Sequence, residues 1–250
     1  MIYNQFLTAK QQGRKQLAVL IDPDKTSRDA ILRLCDTAGT SHVDYFFWGG
    51  SLVSSESVDY YLSLLRAHTD VPVVLFPGSI YQLTDQAEAV LLLSLISGRN
   101  PELLIGQHVL AAPRIRRLGL EAISTGYMLV DGGSPSSVSY MSATQPIPYD
   151  KPNIAQCTAM AGEMLGLKLM YLDAGSGARR PVHPEMIKAV QQVVDCPLVV
   201  GGGIRSAETA HRALQAGADC IVVGNGLEND PSWLPELSKL VHGSTAPASY

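Results

Sequence analysis

The chain has 250 residues, of which 46% are hydrophobic and 17% are charged, and its net charge at pH 7 is −4. This length and hydrophobic content suffice for one domain with a large core, and we expect residues 1–250 to form it. The negative charge argues against a nucleic-acid-binding protein. The first residues lack the apolar core of a signal peptide, and the apolar run Ala89–Ser97 is too short to cross a membrane. We therefore expect a cytoplasmic protein.

Short apolar runs alternate with helix-length segments along the whole chain. This alternation is typical of parallel strands connected by helices, and about eight repeats in this length fit an α/β fold of the (β/α)8 TIM-barrel type. A doubly wound open sheet is the alternative, although no GxGxxG motif follows the first strand. The predicted strands are Leu17–Ile21, Tyr45–Trp48, Val73–Phe76, Val90–Leu95, Glu121–Val130, Lys168–Leu172, Leu198–Val200 and Cys220–Val223.

Polar residues follow the first two predicted strands. The sequence VLIDPDK places Asp22 and Asp24 where the first strand ends, and YFFWGGS places Ser51 after the second. Carboxylate oxygens are preferred ligands of Mg²⁺, which often bridges to phosphate, so Asp22 and Ser51 are candidate magnesium ligands. The alternatives are a turn-forming or capping role for either aspartate and a helix N-cap role for Ser51.

The segment between the fifth and sixth predicted strands is irregular in sequence. Residues Gly132–Pro152 are rich in Ser and Pro, and we expect a long loop there. Loops at the carboxyl ends of barrel strands often carry chemistry, so this loop is expected to border the functional site.

Gly-rich turns follow the last three predicted strands. Asp173, in YLDAGSG, stands where barrel enzymes place a catalytic acid or base, with a structural Asx turn as the alternative. After the seventh strand, Ser206 is the expected N-cap of a helix over Ala207–Gln215. Backbone amides left bare by glycine bind anions, phosphate above all. The predicted phosphate-binding turns contain Gly175, Ser176, Gly177, Gly202, Gly203, Gly224 and Asn225.

The cysteines and histidines show no motif of a metal site. The sequence contains no CxxC, HxH or HExxH spacing, and we expect surface or capping roles for its six histidines. Each cysteine lies in an apolar or helical segment, where a thiol packs as a small hydrophobic side chain. We expect this structural role for Cys35, Cys157, Cys196 and Cys220.

Five motifs, in this order, resemble the geranylgeranylglyceryl phosphate synthase family: IDPDK, FFWGGS, YLDAGSG, VGGGIRS and VGNGLE. They extend from the first predicted strand to the last, so the resemblance covers nearly the whole chain. GGGI alone is common among phosphate-binding barrels, whereas the ordered set is specific. Leu20, where one form of the family has Lys, is typical of the second group, which is related to the bacterial heptaprenylglyceryl phosphate synthases.

The resemblance implies a modified TIM barrel with prenyltransferase activity. Such an enzyme joins the C3 hydroxyl of sn-glycerol 1-phosphate to a polyprenyl diphosphate, here geranylgeranyl diphosphate. It releases pyrophosphate, requires Mg²⁺ and makes an ether-lipid precursor of membranes. Because family members form dimers and hexamers, the resemblance also implies a homo-oligomer.

The family's site residues can be carried over by position. Asp22 and Ser51 match the Mg²⁺ ligands, and Asp173 matches the acid that acts on the glycerol hydroxyl. A prenyl chain also needs an apolar groove, for which the candidate lining residues are Phe76 with Pro77 and Gly78, Tyr127, and Tyr140; ordinary core packing is the alternative for each aromatic. The residues that match the glycerol-phosphate site are Tyr171, Leu172, Asp173, Ala174, Gly175, Ser176, Gly177, Gly202, Gly203, Gly224 and Asn225.

One position departs from the family pattern. The acid is usually Glu in the family, whereas this chain has Asp173, whose side chain is one methylene shorter. Its carboxylate reaches the same point only after an adjustment of the backbone or through a water molecule. Two other functions stay open on the sequence: a phosphate-binding barrel isomerase or lyase acting on a phosphosugar, and a non-catalytic sensor of a phosphate ligand.

Overall fold

The computed structural model describes residues 1–53, 58–224, 227 and 231–244. All strand pairs in it are parallel and follow chain order, and the last strand pairs with the first, which closes a barrel. Within the described residues the eight strands are β1 (Gln16–Ile21), β2 (Tyr45–Trp48), β3 (Val73–Leu75), β4 (Ala89–Leu95), β5 (Glu121–Leu129), β6 (Leu169–Asp173), β7 (Leu198–Gly201) and β8 (Cys220–Val223).

Helices connect most of the strands. The nine α-helices found in the described residues are α1 (Ile2–Gln11), α2 (Arg28–Gly39), α3 (Val58–His68), α4 (Gln107–Leu118), α5 (Ser137–Ser142), α6 (Pro152–Met164), α7 (Pro184–Gln191), α8 (Ala207–Gln215) and α9 (Leu234–Gly243). The connection from β3 to β4 differs from the others. Residues 76–88 are all described, and their only helical element is the 3₁₀ turn Ile80–Gln82.

Side chains alternate along each strand between the barrel interior and the layer beneath the helices. On β6, Leu169 and Tyr171 belong to the interior cluster, whereas Met170 and Leu172 pack with the helices. Asp173 continues the inward-facing set because successive strand side chains point to opposite faces. Both faces of most strands are thus buried, which explains why those strands are almost uninterrupted apolar runs; β4 and β5 also contain half-buried or exposed positions.

Helix α1 closes the amino-terminal end of the barrel. The fully buried ring of Phe6 stacks on Tyr45, with 4.4 Å between the ring centroids. At the first turn of α1, the carboxylate of Glu121 accepts hydrogen bonds from the backbone N–H groups of Ile2 at 2.5 Å and Tyr3 at 3.0 Å. An anion at a helix N-terminus is stabilising, so Glu121 anchors α1 to β5.

The structure confirms the predicted barrel. All eight predicted strands are present and differ only at their ends, and the closed sheet excludes the doubly wound alternative. The helix predicted over Ala207–Gln215 is confirmed, and its N-cap Ser206 accepts a hydrogen bond from the N–H of Thr209 at 3.2 Å. Among the described helices, none combines the length and the apolar character that crossing a membrane requires.

Two expectations were wrong. The segment Gly132–Pro152 is not entirely irregular, because Ser136 caps the short helix α5 by accepting a hydrogen bond from Ser139 N–H. Cys157 is not a core residue, because it lies on the exposed side of α6; the buried residues of this helix are Ala155, Ala159 and Gly162. The other three cysteines are buried, as expected.

Replacement of Phe6 by Ala is expected to lower the free energy of unfolding by about 3–5 kcal/mol, because it opens a cavity at the closed end of the barrel. Chemical denaturation measures the change. Tyr140→Ala is the control: Tyr140 is 86% exposed, and its replacement should change the free energy by less than about 0.5 kcal/mol. A loss below about 1 kcal/mol for Phe6→Ala would contradict a stabilising role for the α1 contact.

Candidate active site

A polar cavity opens at the carboxyl ends of the strands. Its lining combines the ends of β1, β2, β6, β7 and β8, which the closed barrel brings to one rim. The predicted site residues that line it are Asp22, Ser51, Tyr171, Asp173, Gly175, Ser176, Gly177, Gly202, Gly203 and Gly224. Residues from segments more than 200 positions apart thus surround one cavity.

Glycine is required at position 202 because of a close approach. Gly202 has a φ of +78°, and a Cβ built there would lie 2.5 Å from Oδ1 of Asp173 and 2.7 Å from the backbone nitrogen of Gly175. Any larger residue would therefore collide with both the carboxylate and the neighbouring turn. The turns after β6 and β7 are packed against each other, backbone on backbone, at the floor of the cavity.

Asp173 is held in one orientation by two hydrogen bonds. Its Oδ2 accepts from the hydroxyl of Tyr127 at 2.6 Å, and its Oδ1 accepts from the backbone N–H of Gly175 at 2.7 Å. Burial raises the pKa of this carboxyl above its ordinary value, and the two hydrogen bonds oppose that rise. The result is a carboxylate that is more basic than an exposed one and fixed at the cavity wall.

Aromatic rings pack beside this carboxylate. Tyr127 meets Tyr171 edge to face, with centroids 5.4 Å apart, and Phe76 lies 5.8 Å from Tyr127 and 5.5 Å from Tyr171. Burial, followed by the charge of Asp173, raises the pKa of both tyrosines well above the ordinary value. Both hydroxyls therefore stay protonated, and that of Tyr127 acts as a donor to Asp173.

Asp22 lies at the mouth of the cavity. Its Oδ1 accepts a hydrogen bond from the N–H of Asp24 at 3.1 Å, so it does form the turn considered above. Its Oδ2 accepts a 2.6 Å hydrogen bond from the ammonium group of Lys25. Gly50 packs against the same carboxylate: a Cβ placed on this glycine would lie 3.5 Å from Cγ of Asp22. The carboxylate is thus turned toward the end of β2, where Ser51 lies.

An apolar groove adjoins the polar cavity. It runs where the helix between β3 and β4 is replaced by the 3₁₀ turn, and its lining is mostly aliphatic. The residues that line both the groove and the cavity are Gly50, Ser51, Phe76 and Val138. The apolar side chains lining the groove include Ile80, Leu83, Leu91, Leu93, Leu95, Leu103, Ile115, Tyr127 and Met141.

Comparisons with known proteins identify the family of this chain. A model of the PcrB family matches residues 10–241. Curated relatives named geranylgeranylglyceryl phosphate synthase are 55% identical in Spirosoma linguale, over 93% of each chain, and 54% identical in Chitinophaga pinensis, over 97% of this chain and 96% of the relative. This chain belongs to the PcrB family of geranylgeranylglyceryl phosphate synthases.

A solved structure of the family has the same fold. It is the (S)-3-O-geranylgeranylglyceryl phosphate synthase of Thermoplasma acidophilum in complex with its substrate sn-glycerol-1-phosphate. That chain is 29% identical, with a TM-score of 0.90 over 98% of this chain and 99% of its own. The family expected from the five motifs is therefore confirmed.

The structure does not bring every predicted site residue of this family member to the cavity. The side chain of Leu172 points into the layer beneath the helices, because it alternates with Tyr171 and Asp173. Ala174 is also buried in that layer. Asn225 lies outside the described residues. Tyr140 is 86% exposed and does not line the groove.

Other lining residues escaped the sequence analysis. Arg205 borders the cavity directly after the GGGI turn, and its guanidinium donates to the carbonyl of Ala178 at 3.0 Å. A cation next to a Gly-rich turn was the signal for it. Val138 and Met141 reach the groove from α5, and only the helical periodicity of SVSYMS pointed to them. Arg180, a second cation near the Gly-rich turns, does not line the cavity. It forms a salt bridge with Asp131 at 3.0 Å and lies over the ring of Tyr149.

Two glycine substitutions separate close approach from backbone strain. Gly177 and Gly202 have nearly the same φ, +76° and +78°, but a Cβ on Gly177 meets nothing within 4 Å. Gly177→Ala is expected to cost about 1–2 kcal/mol of unfolding free energy from strain alone. Gly202→Ala adds the collision with Asp173 and should cost clearly more. Chemical denaturation of both variants measures the difference, and equal costs would contradict the close packing of the two turns.

Proposed function

We propose that this protein is a Mg²⁺-dependent geranylgeranylglyceryl phosphate synthase. It joins the C3 hydroxyl of sn-glycerol 1-phosphate to geranylgeranyl diphosphate and releases pyrophosphate. The observation that carries the proposal is the junction of two unlike cavities, one polar and glycine-rich, the other apolar, at Gly50, Ser51, Phe76 and Val138. A reaction that couples a small phosphate ester to a long hydrocarbon needs this combination.

The polar cavity suits the glycerol phosphate. Its Gly-rich turns offer backbone N–H groups after β6, β7 and β8, and Arg205 adds a positive charge at their edge. A phosphate bound there leaves the glycerol hydroxyls directed toward Asp173 on the same wall. The site thereby contributes by positioning the alcohol close to its base.

Asp173 serves as the proton acceptor. The alcohol attacks the allylic carbon of the prenyl chain, the bond from this carbon to the diphosphate oxygen breaks, and the hydroxyl proton passes to the Asp173 carboxylate. Tyr127 and Gly175 hold this carboxylate in place. The rings of Tyr127, Tyr171 and Phe76 pack together beside Asp173, close enough to the reacting region to stabilise positive charge on the allylic carbon.

The mouth of the cavity suits a magnesium diphosphate. Mg²⁺ is often bound by one or two carboxylates together with substrate phosphates, and Asp22 with the neighbouring Ser51 offers this donor set. The carboxylate already attracts the cationic Lys25. When bound, the ion neutralises the diphosphate and makes it a better leaving group.

The apolar groove also weighs against the other candidate functions. A phosphosugar isomerase or lyase has no use for an aliphatic channel beside its phosphate site. A sensor of a small phosphate ligand does not need it either. The groove therefore favours prenyl transfer over both of these functions.

A coupling assay tests the proposal. Purified protein is given Mg²⁺, radiolabelled sn-glycerol 1-phosphate and geranylgeranyl diphosphate, and a labelled lipid is expected. No labelled lipid is expected from the enantiomeric sn-glycerol 3-phosphate or from a reaction treated with EDTA. Added Mg²⁺ should restore lipid formation in the EDTA-treated reaction. Asp22→Asn should raise the Mg²⁺ concentration that half-maximal activity requires. Binding of glycerol phosphate without product from prenyl diphosphates of any length would contradict the synthase function.

The pH dependence tests the role of Asp173. Asp173→Asn should lower kcat by about 10²–10⁴-fold because the proton acceptor is lost. Tyr127→Phe removes a hydrogen bond that lowers the pKa of Asp173, so the pKa should rise further. Activity falls when the base is protonated, so the acid limb of kcat/KM should move to higher pH in this variant. Tyr140→Phe, at an exposed position, is the matched control and should leave the limb unchanged. An acid limb that stays in place in Tyr127→Phe would exclude Asp173 as the titrating base.

A further inference from the structure

Three potential metal ligands converge at the amino-terminal end of the barrel, opposite the candidate active site. His42 and Asp44 lie in the segment that leads from α2 into β2, and His242 lies in the last turn of α9. Nε2 of His242 is 3.0 Å from Oδ2 of Asp44, and Nε2 of His42 is 3.6 Å from Oδ1 of the same carboxylate. One ligand atom from each residue lies within 4.8 Å of the other two.

Both ring nitrogens of His242 face hydrogen-bond acceptors, so a neutral imidazole lacks an N–H for one of them. Its Nδ1 lies 2.8 Å from the backbone oxygen of Ser238, and its Nε2 faces the carboxylate of Asp44. Both neighbours are acceptors, whereas a neutral imidazole carries only one N–H. With the proton on Nδ1, the lone pair of Nε2 points at a carboxylate oxygen, which is favourable only if a cation lies between them or a second proton is bound.

The exposure of His42 lets both imidazoles reach one ion. The rings of His42 and His242 are stacked, with 12° between their planes and 4.2 Å between centroids, and the exposed ring of His42 must turn about its side-chain torsions so that the ion lies in both ring planes. A tetrahedral Zn²⁺ with bonds of about 2.0–2.1 Å spaces its ligand atoms roughly 3.3–3.5 Å apart. The distances of 3.0 and 3.6 Å from the two nitrogens to the two different oxygens of Asp44 are close to this spacing.

The surrounding structure is built to hold these ligands. Asp44 Oδ2 accepts a hydrogen bond from the backbone N–H of Leu17 at 2.7 Å, which fixes the carboxylate. The hydroxyl of Ser238 donates to the backbone oxygen of His42 at 2.8 Å, which ties α9 to the His42 segment. The side chain of His42 is 65% exposed, so an ion can enter from solvent. Arg14 borders the same surface and is the positive charge that opposes binding.

We propose that His42, Asp44 and His242 bind a divalent transition-metal ion, with Zn²⁺ as the best match and water in the fourth position. Two imidazoles and one carboxylate favour Zn²⁺, Co²⁺, Ni²⁺ or Cu²⁺ and do not suit Mg²⁺, which prefers oxygen ligands. The ion joins the carboxy-terminal helix α9 to the segment that enters β2. Its effect is on the attachment of that helix, at the end of the barrel remote from prenyl transfer.

Zn²⁺ titration tests the site. Full-length protein is stripped with EDTA, dialysed and titrated with ZnCl2 by calorimetry in excess MgCl2, which keeps the Asp22 site occupied. Saturable binding of one Zn²⁺ per chain is expected, together with a rise in Tm, because an ion that binds only the folded state stabilises it. Co²⁺ in place of Zn²⁺ gives the visible absorption of a tetrahedral or five-coordinate site.

Matched histidine variants locate the ion. His42→Ala should weaken Zn²⁺ binding by at least about tenfold and abolish the Zn²⁺-induced rise in Tm. His211→Ala, which removes an exposed histidine of α8, should bind like the unaltered protein. Asp44→Asn is a second variant that keeps an acceptor for Leu17 N–H, and it should also lose affinity. Absence of saturable Zn²⁺ binding, or equal affinity in the His42 and His211 variants, would overturn the proposal.

Discussion

The ladder between β1 and β8 is the constraint on which the rest of the molecule depends. It pairs Gln16 with Cys220 and Val19 with Val223, and so joins the two ends of a 250-residue chain. A closed parallel sheet places the carboxyl ends of all its strands on one rim. Asp22, Asp173 and the turn at Gly224 thereby become neighbours although they are far apart in sequence. Without closure, each turn would be an isolated loop.

The site balances an electrostatic cost against geometric order. Taking the carboxylate of Asp173 out of water is unfavourable, and the hydrogen bonds from Tyr127 and Gly175 offset part of that cost. The same two bonds restrict the side chain to one rotamer beside the cavity. Stability is thus given up where orientation is gained.

The barrel could be predicted because most strands are short apolar runs. The turns could be predicted because clusters of glycine occur where the backbone must adopt a positive φ or approach another group closely. The sequence did not predict features that arise between distant segments. The groove combines the connection after β3 with β4, α4 and α5. The absence of a helix from residues 76–88 could not be told from an irregular spacing of apolar residues. The cluster of His42, Asp44 and His242 joins residues up to 200 positions apart, which no local motif reveals. The outward direction of Leu172 was readable, since strand side chains alternate.

The short connection between β3 and β4 has a consequence for size. In a barrel surrounded by helices on all sides, a ligand bound at the carboxyl ends of the strands cannot extend into the interior, which is filled here by side chains such as Phe47 and Leu91. Between β3 and β4 a 3₁₀ turn replaces the helix of the outer layer, and the apolar groove extends the site there. In the proposed prenyl transfer, the residues that line this groove set the length of the prenyl chain, while the strands and the chemistry at their carboxyl ends stay the same.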